Sequence, residues 1–237
     1  MIRGRPVTCV IPVRGGSKGI PGKNMRRLAG ETLLERALGF ARSARAVDRV
    51  LVTTDDAEMY AVAGRHGAAP PSLRPARLAD DAATTVDAVE HLIADADIAP
   101  GYILLLQVTS PLRTLADLDA LVAAFEATPG AGAAASVCAY EGPHPEKLQK
   151  IEAGRLASYL GTEAGRARQL MPSLFELNGA FYLIDRDLLL SGRSFLPPGT
   201  LAHVMPPERS ANLDTMTDWL VLEAMLARGH WSMESYG

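Results

Sequence analysis

The chain has 237 residues, which is long enough for one α/β domain with a substantial hydrophobic core. Apolar residues make up 48% of it, charged residues make up 22%, and the formal net charge is −3. This balance gives no electrostatic reason to expect a protein that binds nucleic acid or a membrane surface. It is compatible with an enzyme that holds small anions in a local cationic pocket.

Cysteine usage and the apolar runs indicate the compartment. Cys9 and Cys138 both lie in apolar segments that are typical of strands, so two buried free thiols are expected and a disulfide is not. The first residues lead into a strand without the apolar stretch and cleavage site of a signal peptide. No apolar run approaches the length of a membrane span. We therefore expect a cytoplasmic protein.

Short apolar runs alternate with helical patterns along most of the chain. This alternation predicts an α/β fold, in which a mostly parallel sheet carries helices on both faces. The predicted strands cover residues 7–13, 49–54, 102–107, 133–139 and 178–184. The predicted helices begin near residues 33 and 57 and cover 85–96, 115–125 and 215–228.

Two segments depart from this alternation. Residues 140–172 carry more charge, scattered glycines and weak periodicity, which is typical of an excursion such as a lid or a dimer arm. Residues 191–205 are predicted to form a second protrusion. Neither the segments nor any linker separates two independent units, so residues 1–237 are predicted to form a single domain with two insertions.

A long basic and glycine-rich loop, residues 14–24, follows the first predicted strand. Ligands of open parallel sheets bind beyond the carboxyl ends of the strands, and this loop occupies such a place. Its glycines let backbone amides approach an anion closely. Side chains that suit a polyphosphate are supplied by Arg14, Ser17, Lys18 and Lys23. Two of the four lysines of the chain fall in this loop.

Three other kinds of loop can contain glycines and basic residues at this position. A Walker loop requires glycine at position 17 and Ser or Thr at position 24, where this chain has Ser17 and Asn24. The dinucleotide-binding pattern of three spaced glycines is also absent. The third interpretation is a flexible surface loop with solvated basic residues. The number of cations and glycines directly after a first apolar strand favours the functional interpretation.

Seven short motifs occur in order along nearly the whole chain, at residues 11–19, 23–24, 53–55, 73–76, 106–113, 178–182 and 213–215. In these motifs the chain resembles the acylneuraminate cytidylyltransferase family, the synthetases of CMP-sialic acid and related CMP-nonulosonates. The motifs are much less specific for the acid that is activated.

The resemblance implies a Rossmann-like fold with a small protruding dimerisation or lid region, a homodimer, and a Mg²⁺-dependent reaction between CTP and a sugar acid. Pyrophosphate would leave as the anomeric hydroxyl of the acid attacks the α-phosphorus. Preorganised cations and a metal ion are the main catalytic requirement of such a step. The expected catalytic residues are Arg14, Lys23 and Asp214.

The resemblance also implies a set of binding residues. The nucleotide would be held by Arg14, Gly15, Ser17, Lys18, Lys23, Asn24, Arg74 and Thr85. The sugar acid would face Gln107, Arg168, Asn178 and Lys147. Taken alone, Gln107 is equally an exposed amide at a strand end, Asn178 a turn residue and Arg168 a solvated arginine.

Asp214 and Asn212 are the expected Mg²⁺ ligands. Taken alone, Asp214 just before a predicted helix is typical of a helix cap, and the resemblance is what favours a metal ligand. Many members of the family carry Asp where this chain has Asn212, so the predicted site has one negative charge fewer. Phe195 and Leu196 resemble the apolar tip that reaches the neighbouring subunit, with a local core contact as the alternative.

Other functions remain open from the sequence. The same fold could use GTP, or an octulosonate or phosphonate in place of the nonulosonic acid. A non-catalytic nucleotide-binding relative is a further alternative, with Asn212 marking the decay of a metal site. The retention of Arg14, Lys18, Lys23 and Asp214 argues against that alternative.

Overall fold

A six-stranded sheet lies at the centre of the computed structural model, which describes residues 1–16, 19–161 and 172–236. Its strand order is β10-β6-β9-β5-β1-β4. The six strands are β1 (Val7–Pro12), β4 (Arg49–Thr53), β5 (Tyr102–Leu105), β6 (Ala133–Ala139), β9 (Phe175–Asp185) and β10 (Leu201–Val204).

Strand direction determines where the loops of the sheet meet. β4 and β5 both run parallel to β1, and β10 runs parallel to β6. β9 lies between β5 and β6 and is antiparallel to both. The carboxyl ends of five strands therefore share one edge of the sheet with the amino end of β9. This arrangement confirms the predicted mostly parallel sheet.

Helices cover both faces of the sheet, as the alternating pattern predicts. Along β1, Cys9 and Ile11 belong to one hydrophobic cluster, whereas Val10 belongs to the other. The first cluster includes residues of α1, α2, α4 and α6, and the second includes residues of α3 and α5. The helices are α1 (Leu33–Ser43), α2 (Ala57–Arg65), α3 (Thr85–Asp95), α4 (Leu115–Ala127), α5 (Arg186–Gly192) and α6 (Met216–Ala227).

Two short hairpins stand apart from the central sheet. β2 (Arg27–Leu28) and β3 (Glu31–Thr32) lead into α1. β7 (Gln149–Glu152) and β8 (Arg155–Ser158) form a separate two-stranded sheet within the predicted excursion. Every residue of β7 is exposed. The segment 140–161 therefore contains a projecting hairpin and is not an extension of the core.

The prediction for residues 191–205 is wrong in part. The end of this segment forms β10, which pairs with β6 at the edge of the central sheet. Phe195 is buried in the core, where its ring lies 6.2 Å from that of Tyr182, so it does not form an exposed tip. The prolines and glycine at positions 197–199 resemble a protruding loop in sequence, and only the pairing with β6 reveals the short strand after them.

Two expectations from composition can be compared with the fold. Cys9 and Cys138 are both buried free thiols, as predicted. In the part of the chain that the structure describes, no helix combines the length and the apolar character needed to cross a membrane.

Candidate active site

A cleft of about 450 Å³ opens at the carboxyl ends of β1 and β5. Its size is typical of a small-molecule site. The strand order reverses between β1 and β5, and this is the position where open α/β sheets bind ligands. Of the predicted site residues, seven line the cleft: Arg14, Lys23, Asn24, Arg74, Thr85, Gln107 and Asp214.

Two buried side chains hold the start of the loop after β1. The Asn24 side-chain amide donates a hydrogen bond to the Arg14 carbonyl over 2.9 Å. The Arg74 guanidinium donates to the Val13 carbonyl over 2.8 Å. These bonds fix the backbone that presents Arg14 to the cleft. Both residues line the cleft as well, so the expected contact with a nucleoside stays a prediction.

Arg74 also connects this loop to the loop after β4. Asp55 accepts from the Arg74 guanidinium and from the Gly15 backbone amide. Burial lowers the pKa of Arg74, and the neighbouring Asp55 carboxylate opposes that shift. The Arg74 Nε is buried without a hydrogen-bond partner. A polar ligand in the cleft would therefore find an arginine whose position is already fixed.

Gly19 permits a close approach between two distant parts of the chain. A Cβ at this position would overlap the backbone carbonyl oxygen of Asp214. Leu213 in turn donates its backbone amide to the Thr109 carbonyl over 2.8 Å. The loops that follow β1 and β5 and the segment before α6 therefore meet at one point of the cleft.

Lys23 crosses this junction. Its ammonium donates to the Leu213 carbonyl over 2.8 Å and lies 3.6 Å from the Asp214 carboxylate. Its side chain is only 13% exposed, which does not fit the alternative of a flexible surface loop with solvated basic residues. A fixed cation and a largely exposed carboxylate therefore stand side by side at the cleft. Arg14 adds a second cation, 3.4 Å from the Asp81 carboxylate.

The helix-cap interpretation of Asp214 is wrong. The N-cap of α6 is Thr215, which forms a capping box with Asp218. Asp214 contributes only its backbone amide, which donates to the Asp218 carboxylate over 3.0 Å. Its own carboxylate accepts a hydrogen bond from the Asn212 amide over 2.9 Å. The carboxylate is thus available to a ligand, because the helix end is satisfied by other groups.

The residues around Asp214 fit a magnesium ion. The Asn212 Oδ1 has no hydrogen-bond partner, whereas the Asn212 Nδ2 donates to the Asp214 carboxylate. If the side-chain amide turned over, its oxygen would face that carboxylate, and a cation between the two oxygens would satisfy both. Mg²⁺ is usually bound through one or two carboxylates, water and substrate phosphates, so one carboxylate and one amide are sufficient protein ligands. No cluster of three or more His, Cys, Asp or Glu side chains suited to a metal occurs among the described residues.

Gln107 also lines the cleft and lies beside Gly179 of β9. Gly179 has a φ of +72°, and a Cβ there would overlap the Gln107 side-chain oxygen and come within 2.8 Å of the Ser110 hydroxyl. Glycine at 179 therefore makes room for the Gln107 amide. Gln107 lines the cleft, and its contact with the sugar acid stays a prediction.

Asn178 does not join the group of predicted residues in the cleft. It is buried, and its amide donates to the Ser210 hydroxyl over 3.0 Å while its Oδ1 accepts from the Ser136 hydroxyl over 2.6 Å. The side chain is thus used inside the fold, to connect β6 and β9 to the segment before α6. This arrangement assigns it a structural role in place of the predicted contact with the acid.

The other predicted residues lie elsewhere. Lys147 is exposed on a turn before β7 and does not line the cleft. Ser17, Lys18 and Arg168 lie outside the described residues.

Several residues that contribute to the cleft carried no predicted role, among them Asp80, Thr84 and Thr109. Thr84 is the N-cap of α3 and forms a capping box with Asp87. The Thr-x-x-Asp spacing was a signal for this helix start, and it would have placed the start at the edge of the cleft. Asp80 and Thr109 sit in irregular loops, where periodicity carries no information.

A family model described as cytidylyltransferase matches residues 8–150 of the chain, which is more than half of its length. The chain belongs to the cytidylyltransferase family. The matched residues include the end of β1, the loops after β1 and β5 and residues 74–88, which together provide all of the described cleft lining except Asp214.

Curated relatives cover nearly the whole chain. It is 29% identical over 227 residues to the N-acylneuraminate cytidylyltransferase of Streptococcus agalactiae serotype III (strain NEM316), which covers 90% of this chain and 51% of that protein. It is 27% identical to the CMP-N,N'-diacetyllegionaminic acid synthase of Legionella pneumophila, covering 93% of this chain and 96% of the other. The chain thus spans about half the length of the first of these relatives.

Solved structures share the fold at low identity. CMP:2-keto-3-deoxy-manno-octonic acid synthetase, complexed with CTP, superposes with a TM-score of 0.69 at 16% identity, covering 94% of this chain and 99% of the other. A 4-diphosphocytidyl-2C-methyl-D-erythritol synthase superposes with a TM-score of 0.65 at 17% identity, covering 94% and 98%. These likenesses confirm the predicted Rossmann-like α/β fold.

The contact between Gly19 and the Asp214 carbonyl predicts a sharp difference between two glycines of one loop. Gly19→Ala would force the loop away from Asp214, and we expect it to weaken CTP binding by roughly tenfold or more in calorimetry, since well-packed backbone yields little space. Gly16→Ala is the matched control, because a Cβ at Gly16 meets no atom within 4 Å. Equal CTP affinities for the two variants would contradict this account of the junction.

Proposed function

We propose that this cytidylyltransferase joins CMP from CTP to the anomeric hydroxyl of a nonulosonic, sialic-type sugar acid and releases pyrophosphate. The observation that carries the proposal is the junction of Arg14, Lys23 and Asp214 in one cleft beyond β1 and β5. The names of the curated relatives, which activate sialic or legionaminic acid, support the class of acid. The name of a third relative, the pseudaminic acid cytidylyltransferase of Campylobacter jejuni, supports the same class of acid. This relative is 25% identical to the chain, and the match covers 89% of this chain and 91% of that protein.

In the proposed reaction the sugar hydroxyl oxygen forms a bond to the α-phosphorus of CTP. The bond from that phosphorus to the oxygen bridging to the β-phosphate breaks, and the electron pair leaves with pyrophosphate. The hydroxyl proton passes to water in this proposal. Negative charge grows on the phosphoryl oxygens and on the leaving group, so fixed cations lower the barrier.

Lys23 is suited to this task because its position does not depend on substrate. The Leu213 carbonyl and the Asp214 carboxylate already orient its ammonium before any nucleotide arrives. Preorganised charge costs no reorganisation at the moment of reaction. Arg14 would supply a second cation, and the backbone amides of the glycine-rich loop would approach the phosphates. Ser17 and Lys18 belong to the same proposed phosphate site.

We propose that Asp214 and Asn212 hold Mg²⁺ together with phosphate oxygens. When bound, the ion would neutralise charge on the phosphates and on the departing pyrophosphate. Asn212 makes the protein part of this site weaker than two carboxylates would, because an amide oxygen carries no net charge. Because the protein part of the site is weak, metal binding is expected to depend on the presence of the nucleotide.

The nucleoside and the acid would occupy different halves of the cleft. Arg74 and Thr85 lie on the β1 and β4 side, where a nucleoside would bind, and Asn24 supports the loop between them. Gln107 lies on the β5 and β9 side and would bind the sugar acid. Arg168 remains a proposed partner of the acid carboxylate. Lys147 lies away from the described cleft, so it would need a different arrangement to contribute.

We also propose that the chain forms a homodimer through the β7–β8 hairpin and the start of β9. Ile151 and Leu156 oppose each other across the hairpin and are 76% and 74% exposed. Phe175 and Leu177, at the start of β9, are 53% and 44% exposed. Solvent-exposed apolar groups of this density are typical of an interaction surface.

The two buried thiols agree with a cytoplasmic location.

The proposed reaction predicts pyrophosphate release only when CTP, Mg²⁺ and a nonulosonic acid are present together. A screen of four nucleotides against sialic, legionaminic, pseudaminic and octulosonic acids tests it. Lys23→Ala is expected to lower turnover at least about 100-fold, since it removes preorganised charge. It should also lower the melting temperature, because the hydrogen bond to the Leu213 carbonyl is lost, so turnover is compared at a temperature where both proteins are folded. Arg65→Ala, an exposed arginine at the end of α2, is the charge-matched control. Release that required no acid, or full turnover by Lys23→Ala, would refute the proposal.

The metal proposal predicts tighter binding when the missing charge is restored. Asn212→Asp is expected to raise the affinity for Mn²⁺ in the presence of CTP roughly tenfold, because hard cations favour charged oxygen ligands. Electron paramagnetic resonance of free Mn²⁺ measures this without any turnover. Asp214→Asn should change the affinity in the opposite direction. An affinity that is the same in all three proteins would remove both residues from the metal site.

The dimer proposal predicts that one charge on the hairpin separates the subunits. Leu156→Asp is expected to shift the sedimenting mass from dimer to monomer, because a buried unpaired carboxylate opposes association. Leu220→Asp, on the outer face of α6 at 60% exposure, is the matched control and should remain dimeric. A wild-type chain that sediments as a monomer, or a Leu156→Asp dimer, would contradict the proposed interface.

A further inference from the structure

Arg113 carries a buried guanidinium that holds three backbone carbonyls at once. The side chain donates to the Ser110 carbonyl over 2.9 Å, to the Ala180 carbonyl over 2.7 Å, and to the Gln107 carbonyl. The residue is 3% exposed, and the rings of Phe40 and Phe181 lie against it. A single planar group therefore connects the loop after β5 to β9.

The charge of Arg113 is not matched by a carboxylate among its described contacts. Burial lowers its pKa to about 10, although Cys9 and Tyr236 oppose that shift, and the group stays cationic at neutral pH. Burying an ion is costly, and an apolar side chain of similar volume often stabilises a fold as well or better. Packing alone therefore does not explain an arginine at this position. The rigid fork of guanidinium donors, which reaches three carbonyl acceptors at once, does explain it.

What Arg113 holds is the part of the cleft beside Gln107. The Gln107 carbonyl is one of its acceptors, and the Gln107 backbone amide donates to the Gly179 carbonyl over 3.4 Å. The Ser110 hydroxyl donates to the Asn178 carbonyl over 2.7 Å. The backbone of Gln107 is thereby fixed on both sides, and its side chain is left to line the cleft.

The hydrogen bonds that fix the loop after β1 do not involve Arg113. Asn24 and Arg74 fix the loop after β1 through the Arg14 and Val13 carbonyls. A change at Arg113 would therefore act first on the end of the cleft at β5 and β9, which the proposed function assigns to the acid.

We propose that Arg113 is a positioning residue for the acid-binding end of the cleft, where its guanidinium fixes the Gln107 backbone and so directs the Gln107 amide toward the sugar acid. This inference rests on the proposed function. It adds a determinant of affinity for the acid that has no contact with the substrate itself.

The test compares Arg113→Lys with Arg3→Lys in the full chain. Arg3 also holds three carbonyls, those of Phe125, Thr128 and Ala131, but at the end of α4, away from the cleft. Lysine retains the charge in both variants and loses the planar fork. Steady-state pyrophosphate release gives the KM for CTP and the KM for the acid. Circular dichroism and thermal unfolding report the fold.

We expect Arg113→Lys to raise the KM for the acid roughly tenfold, which corresponds to about one lost hydrogen bond at Gln107, with the KM for CTP within twofold of wild type. Arg3→Lys should lower thermal stability and leave the ratio of the two KM values unchanged. Equal changes in both KM values of Arg113→Lys, or no change in either, would overturn the positioning role.

A second variant keeps the inference testable if Arg113→Lys does not fold. The Tyr236 hydroxyl donates to the Arg113 carbonyl over 2.7 Å, and Tyr236→Phe loosens the same residue without touching its charge. We expect a smaller rise, roughly threefold, in the KM for the acid alone. An unchanged ratio in this variant would then overturn the inference. Turnover by the wild-type chain separates the two proposals. If the wild-type chain does not turn over, both proposals fail. If it does, the ratio of the two KM values tests the role of Arg113 alone.

Discussion

The contact of Gly19 with the Asp214 carbonyl is the constraint on which the proposed site depends. It brings together residues almost 200 positions apart in the chain, and Lys23 closes the same junction through the Leu213 carbonyl. The cationic loop and the segment that contains Asp214 are thereby held next to each other before any ligand binds. Charge that is already in place stabilises a transition state more effectively than charge that must be gathered. The Leu213 amide extends the junction to the loop after β5.

Much of this architecture was predictable, because it arises from local patterns. The apolar run before Arg14, the helix starts and the position of Lys23 in a loop after β1 all follow from short-range periodicity and turn chemistry. Asn178 shows where such reasoning ends. Its residue type suits a ligand contact and an internal hydrogen bond equally, and only the positions of Ser136 and Ser210 in space decide between them.

The sequence also did not reveal which charged side chains are buried. Arg74 and Arg113 are both at most 7% exposed, although most arginines lie at surfaces. The sequence assigned one of them to a ligand and gave the other no role, yet both hold backbone carbonyls beside the cleft. Phe195 shows the converse error, since the family resemblance placed it in an exposed tip and it is in fact part of the core. Long-range packing decides each of these cases.

The reversed direction of β9 has a mechanical consequence. β9 enters the sheet at the edge where the cleft opens and passes Gly179, beside Gln107, before it reaches the interior. Its first residues include Phe175 and Leu177, which are exposed. A molecule that docked on them would therefore act on the same strand that borders the Gln107 side chain.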